Sequence, residues 1–212
     1  MRQLTALDRI FDQLERSLRA VHSHHTGTPR PNPSAASEDT RLSEAERKHA
    51  ASLMRVNHTG EIAAQALYNG QSIVARNQET KQRMQESADE ETDHLSWCKQ
   101  RTEELGQSTS LFGPLWYWGS FGIGVAAGLA GDKWSLGFIK ETEDQVVKHL
   151  QGHLTRLPEQ DSKSRAIIEK MIEDETRHGD KAVDLGGVPL PQPIRKLMGM
   201  TSKVMTGISY RI

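Results

Sequence analysis

The chain has a single cysteine, Cys98, in 212 residues. No disulfide can form within it, and a reducing compartment suits it. Aromatic residues are scarce at 5%, and alternating β-branched runs are few. Both absences argue against a sheet and favour an all-α fold. Net charge is nearly absent too: 27 Lys and Arg against 28 Asp and Glu leave −1. A chain so balanced has no overall pull toward nucleic acid, and it carries no nucleic-acid motif. The N-terminus lacks the apolar stretch of a signal peptide, because Asp8, Asp12 and Glu15 interrupt it. The same acids argue against a mitochondrial transit peptide. Long charge-free stretches are few, and the longest is residues 105–131.

What is present is helical periodicity. Leu4, Leu7, Ile10, Phe11, Leu14, Leu18 and Val21 recur on one helix face, which predicts an N-terminal amphipathic helix within residues 1–24. Residues 25–42 read as a polar linker with Pro31 and Pro33; His22, His24 and His25 at its start read as solvated. Ser43 with Glu46 three residues on is a capping-box signature that opens a long helix to about Arg76. A second helix is expected over roughly 79–105, before Gly106. A third carries Glu143 and runs to about Leu157, before Pro158. A fourth spans roughly 159–185 and stops at Gly186 and Gly187. These make residues 43–188 a bundle. Residues 189–212, set off by Pro189, Pro191 and Pro193, form a basic amphipathic C-terminal segment.

A ligand pattern repeats within these helices. Glu61 stands 30 residues before Glu91 of Glu-Thr-Asp-His94, and Glu143 stands 32 before Glu175 of Glu-Thr-Arg-His178. The set reads as a duplicated helical hairpin. Residues at i and i+3 share a helix face, so Glu91 reaches the same point as His94, and Glu175 the same point as His178. Ferritin-like di-iron and di-manganese carboxylate proteins use this donor set: one Glu from each of two helices and Glu-x-x-His from each of the other two. Four carboxylates balance two divalent ions; without metal they would repel one another and some would take up protons. Oxygen donors with one imidazole per metal suit iron or manganese better than zinc or copper.

Several neighbours carry two readings. Gly60 beside Glu61 permits either close backbone approach at the site or close helix packing. Asp174 and Glu90, each preceding a motif glutamate, are either partners of the other motif's histidine or members of surface salt bridges. His149 and His153 either serve substrate or protons, or are packing residues.

The segments Arg55-Val-Asn-His-Thr-Gly-Glu-Ile62, Glu90-Glu-Thr-Asp-His-Leu95, Glu141-Thr-Glu143 and Asp174-Glu-Thr-Arg-His178, with the ending Tyr210-Arg-Ile, resemble the demethoxyubiquinone hydroxylase family. The likeness covers most of residues 45–212. It implies a ferritin-like four-helix bundle with a dinuclear metal centre and two Fe ions per chain. The implied reaction is hydroxylation of a polyprenylated methoxy-methyl-benzoquinol with O2 in ubiquinone biosynthesis. The ligands it implies are Glu61, Glu91, His94, Glu143, Glu175 and His178, and the same residues are the candidate catalytic set. Glu141 and Asp144 lie about 200° and about 100° away from Glu143 in helical phase. The family's glutamate precedes a histidine by six residues, as Glu143 precedes His149. Where some members have a tyrosine next, this chain has Leu150, so a redox role for that tyrosine does not transfer. Homo-oligomers and contacts with other ubiquinone-biosynthesis proteins are compatible with the resemblance.

The charge-free run includes Trp116, Tyr117, Trp118, Phe121 and a glycine-rich continuation to Gly131. It suits either a lipid interface or close packing inside a bundle. It is too short and too broken by Pro114 and glycines to span a bilayer. In the C-terminal segment Ile194, Leu197, Met198, Val204, Met205 and Ile208 form an apolar stripe among basic residues, with no acid after Asp184. Together these features suit peripheral contact with the cytoplasmic face of a bacterial inner membrane, where a polyprenyl quinol resides. The alternative from another class is a ferritin-like iron-binding or ferroxidase protein. A rubrerythrin-like peroxidase is disfavoured, because Cys98 alone cannot build a four-cysteine iron site.

Overall fold

The computed structural model describes residues 30–38 and 41–212, with Glu15, Leu18 and Ala20 ahead of them. Those three are helical; the rest of the expected N-terminal helix, and the histidines at 22, 24 and 25, lie outside the described residues. Among the described residues there are six long helices, one short 3-10 turn at Pro33–Ala36 and no strand. We number the helices α1 (Glu44–Val74), α2 (Gln78–Glu104), α3 (Gly113–Leu129), α4 (Asp132–Leu154), α5 (Ser162–Asp184) and α6 (Gln192–Ser209). The fold is an all-α, ferritin-like bundle of α1, α2, α4 and α5.

The helix starts are written in capping residues. Ser43 accepts a hydrogen bond from the Glu46 amide, and the Glu46 carboxylate accepts the Ser43 amide at 2.8 Å. Asn77 caps α2 by accepting from the Glu79 and Thr80 amides. Asp161 caps α5 by accepting the Ser164 amide at 3.1 Å, which places the start at Ser162 rather than near 159. α4 ends at Leu154, and helix-like hydrogen bonds from the Thr155 and Leu157 amides to Gln151 and His153 carry the turn up to Pro158. The stops at Gly106 and Gly186 fall where expected, both with positive φ. Short loops join α1 to α2 and α4 to α5, giving two hairpins whose helices pack along each other.

The core has an apolar layer at each end of the bundle. One contains Leu53 and Met54 of α1, Trp97 and Cys98 of α2, Leu150 of α4, and Ile167, Ile168 and Met171 of α5. The other contains Tyr68, Met84 and Ala88, Leu136 and Ile139, and Ala182. On every one of the four helices the expected site residues fall between these layers in sequence. Burial there comes from helix register, and water is kept out from both ends.

The charge-free run packs closely against the bundle on one side and is exposed on the other. α3 is apolar all round, and its small-residue face packs along α1. A Cβ on Gly124 would collide with the Leu67 backbone, and one on Gly70 with the Phe121 carbonyl. Leu115, Trp118, Ile123 and Leu129 of α3 are left exposed, as are Leu111 and Phe112 just ahead of it. Of the two readings of Gly60, close helix packing is the one that fails. A Cβ there would meet nothing among the described residues within 4 Å, so helix packing does not explain this glycine.

The α1–α3 contact gives a test. Gly124→Ala should destabilise the protein by about 1–3 kcal/mol or more, because the colliding atoms are backbone and cannot rotate away. Gly122→Ala, facing open space, should be neutral or stabilising by up to ~1 kcal/mol. Urea denaturation midpoints report both; equal shifts would contradict this packing.

Candidate metal centre

The four bundle helices bring all six expected site residues together, and all six are buried. Nδ1 of His94 lies 3.1 Å from Glu91 Oε2, 2.9 Å from Glu175 Oε1 and 3.6 Å from Glu61 Oε2. Nδ1 of His178 lies 3.1 Å from Glu175 Oε2 and 3.3 Å from Glu91 Oε1. Glu91 and Glu175 therefore each turn one oxygen toward each histidine. Two overlapping donor groups result, Glu61–Glu91–His94–Glu175 and Glu91–Glu143–Glu175–His178, with donor atoms of each group within 4.8 Å of one another. Glu61 closes one group and Glu143 the other. The neighbours of Glu143 are engaged outside the centre: Glu141 pairs with Arg195 and Asp144 with Lys140.

The donor set fits a pair of divalent cations. Glu143 Oε2 is buried and accepts no hydrogen bond, and the buried Glu91 Oε1 and Glu175 Oε1 are each faced only by a histidine Nδ1. Such orphaned acceptors are costly unless something positive faces them. In the metal-free chain protons take that part. Burial, reinforced by the negative charge of Glu91, raises the Glu61 carboxyl well above the usual range. Burial and the charge of Glu175 do the same to Glu143. Burial works against a charged His178, but hydrogen bonds to Glu175, Glu90 and Glu91 outweigh it and push the imidazole up to about 12. His94 is also raised: burial opposes its charge, and Glu175 and Asp174 overcome that.

The histidines are held from outside by exchanged partners. His94 Nε2 donates to Asp174 at 3.1 Å, and His178 Nε2 donates to Glu90 at 2.9 Å. Each carboxylate comes from the other motif's helix, so α2 and α5 are tied together twice. Because a carboxylate only accepts, Nε2 of each ring carries a proton; Nδ1 faces the carboxylates of the centre, protonated in the metal-free chain and available as a donor atom once a metal displaces that proton. The hydrogen bond from His178 pulls Glu90 down to about 2. Arg177 spans both outer carboxylates, donating to Glu90 through Nη2 and lying 2.9 Å from Asp174 through Nη1. The partner and salt-bridge readings of Glu90 and Asp174 therefore hold together.

Tyr68 was not singled out from the sequence. Its hydroxyl donates to Glu143 Oε1 at 2.6 Å, and its ring meets His178 edge-on. Tyr68 follows Glu61 by seven residues, two turns along the same face, and that spacing was the available signal. Cys98 is buried with its thiol against Met171 at 3.6 Å, and burial raises its pKa. It belongs to the apolar layer rather than to the donor groups. His149 and His153 stack at 4.0 Å in α4. Burial lowers both, His153 to about 2, so the pair is neutral at pH 7 and lies outside the donor groups.

Comparison with known proteins gives a consistent result. A profile of the family described as "Ubiquinone biosynthesis protein COQ7" matches residues 48–209. A protein of Nitrosococcus oceani named 3-demethoxyubiquinol 3-hydroxylase is 53% identical over 211 residues, covering 100% of this chain and 99% of the relative. One of Ralstonia pickettii with the same name is 54% identical over 217 residues, covering 97% and 100%. One of Stutzerimonas stutzeri, again so named, is 48% identical over 211 residues, covering 100% and 98%.

Proposed function

This chain belongs to the COQ7 family of ubiquinone biosynthesis proteins, and we propose that it hydroxylates a polyprenylated demethoxyubiquinol with O2 at two iron ions. The observation that carries this reading is the paired donor group, with Glu91 and Glu175 each offering one oxygen to either half. In this reading Glu61 and His94 complete one iron position, and Glu143 and His178 the other. The iron pair, when bound, supplies electrons to O2 so that one oxygen atom can enter the ring and the other can leave as water.

The chain's own residues set the conditions for that chemistry. The apolar layers exclude bulk water from the centre. Asp174 and Glu90 fix the ring orientation and tautomer of the two histidines. Tyr68 holds one oxygen of Glu143 and leaves the other facing the centre. Burial and the neighbouring Glu143 raise the Tyr68 pKa, so it keeps its proton and remains a donor.

The test is turnover with a short-chain demethoxyquinol and 18O2, read by mass spectrometry. Wild type should place one labelled oxygen in the ring. Glu143→Ala should lose at least about 100-fold in product while keeping its helical content. Fully iron-loaded wild type that makes only hydrogen peroxide, or takes the oxygen from water, would instead support a ferroxidase-like protein.

We also propose peripheral contact with the cytoplasmic face of a bacterial inner membrane, where a polyprenyl quinol is dissolved. No described helix is long and apolar enough to cross a membrane. The exposed face of α3 supports the proposal, as do Ile194, Leu197, Met200 and Val204 on α6. The α6 stripe is divided: Met198, Met205 and Ile208 turn partly inward. Arg195 is paired with Glu141, which leaves Lys196, Lys203 and Arg211 as the main basic groups for anionic lipid. Trp116 and Phe121 are partly buried, so the probing variant is Leu115→Ser with Trp118→Ser. Flotation on anionic liposomes should fall with that variant and weaken with salt. Flotation equal to wild type at all salt concentrations would refute the contact.

A further inference from the structure

The family match begins at residue 48, yet a side chain from ahead of it reaches the edge of the centre. Arg30 leads into the 3-10 turn Pro33–Ala36, which packs on α5. Its guanidinium donates through Nε to Asp93 Oδ2 and through Nη1 to Asp174 Oδ2 at 2.8 Å. A longer contact of 3.4 Å joins Nη2 to the Glu90 carbonyl. The guanidinium lies 5.1 Å from the centre of the Trp97 ring, and Trp97 packs against His94 with ring centroids 5.4 Å apart. Asp93 of α2 and Asp174 of α5 are both fully buried. The Asp174 oxygen that takes Arg30 is the same atom that accepts His94 Nε2–H. The other oxygen of Asp174 has Arg177 and Lys170 of α5 beside it, and the cations on Glu90 are Arg177 and Lys181, also from α5; the difference is that, among the described residues, Asp174 alone of the two side chains takes a cation from ahead of the bundle.

Resting on the two-metal reading above, we propose that Arg30 is a positioning residue for the half of the centre built on Glu61 and His94. Docking of the segment ahead of the bundle would then set that metal position and not the one built on Glu143 and His178. The physical case is the shape of guanidinium. A planar fork bonded to carboxylates on two helices fixes their separation and angle, which a single ammonium cannot do. Asp174 is thereby held where His94 needs its acceptor, and the orientation of a ligating imidazole governs how well it binds metal. Arg30 also lies over Trp97, whose ring packs at a tilt against His94.

The test is anaerobic Co2+ titration of the full-length metal-free chain, followed by calorimetry and visible absorption. Wild type should bind in two steps, one of them lost in Glu61→Ala. Arg30→Gln should weaken that step about 10–100-fold and leave the other within about twofold. Arg30→Lys restores charge without the fork and should behave like Arg30→Gln. Asp174→Asn with Arg30→Gln should lose no more than Asp174→Asn alone, since Arg30 acts through Asp174. Both steps weakened equally, neither step changed, full rescue by Arg30→Lys or additive losses would overturn the role of Arg30 while leaving a two-metal centre standing. A wild type that binds fewer than two Co2+ ions would overturn the centre itself and this inference with it.

Discussion

Everything in this molecule answers to one electrostatic constraint: four glutamates buried in a space a few ångströms across. Burial and mutual repulsion both oppose their ionised state, and Glu61 and Glu143 are pushed upward for that reason. Such a cluster is tolerable only if protons or cations sit within it. The two histidines do so in the metal-free chain, each with Nδ1 directed at the carboxylates. A pair of divalent ions would replace those protons and match the charge.

The rest of the architecture maintains that layer. Apolar side chains close the bundle at both ends, so the charges cannot be solvated away. Outside the histidines, Asp174 and Glu90 are exchanged between α2 and α5, and Arg177 lies between them. This net gives the two hairpins a shared polar seam with directional bonds, where apolar packing alone would allow them to slide. α3 does different work. It fills the face of α1 through glycine contacts and turns an uncharged surface outward.

Much of this was legible in the residues because helices convert spacing into direction. The i and i+3 pairs, the lone glutamates at matched distances, the capping residue at 43 and the stops at 106 and 186 are all local signals. The partnership of Asp174 with His94 and Glu90 with His178 was one of the two readings that their place beside the motif glutamates allowed, the other being the salt bridges they also form. What was hidden depends on contacts distant in sequence. Arg30 meets Asp93 and Asp174 across 63 and 144 positions, and an arginine in a polar linker carries no periodicity to announce it. α3 gave no amphipathic pattern because both of its faces are apolar; only the neighbouring helix decides which one is buried. Gly60 drew attention through its position, and no packing contact accounts for it.

The central claim is that the buried cluster is a dinuclear iron site. It is tested most directly by anaerobic ferrous titration of the metal-free protein, with 57Fe Mössbauer spectroscopy and proton release read on the same samples. The account predicts uptake that stops at two irons per chain and releases protons. Apparent affinity should fall as the pH is lowered, because Glu61, Glu143, His94 and His178 all bind protons more tightly than usual when metal is absent. Saturation at one iron, or unchanged uptake when Glu61→Ala and Glu175→Ala are combined, would contradict it.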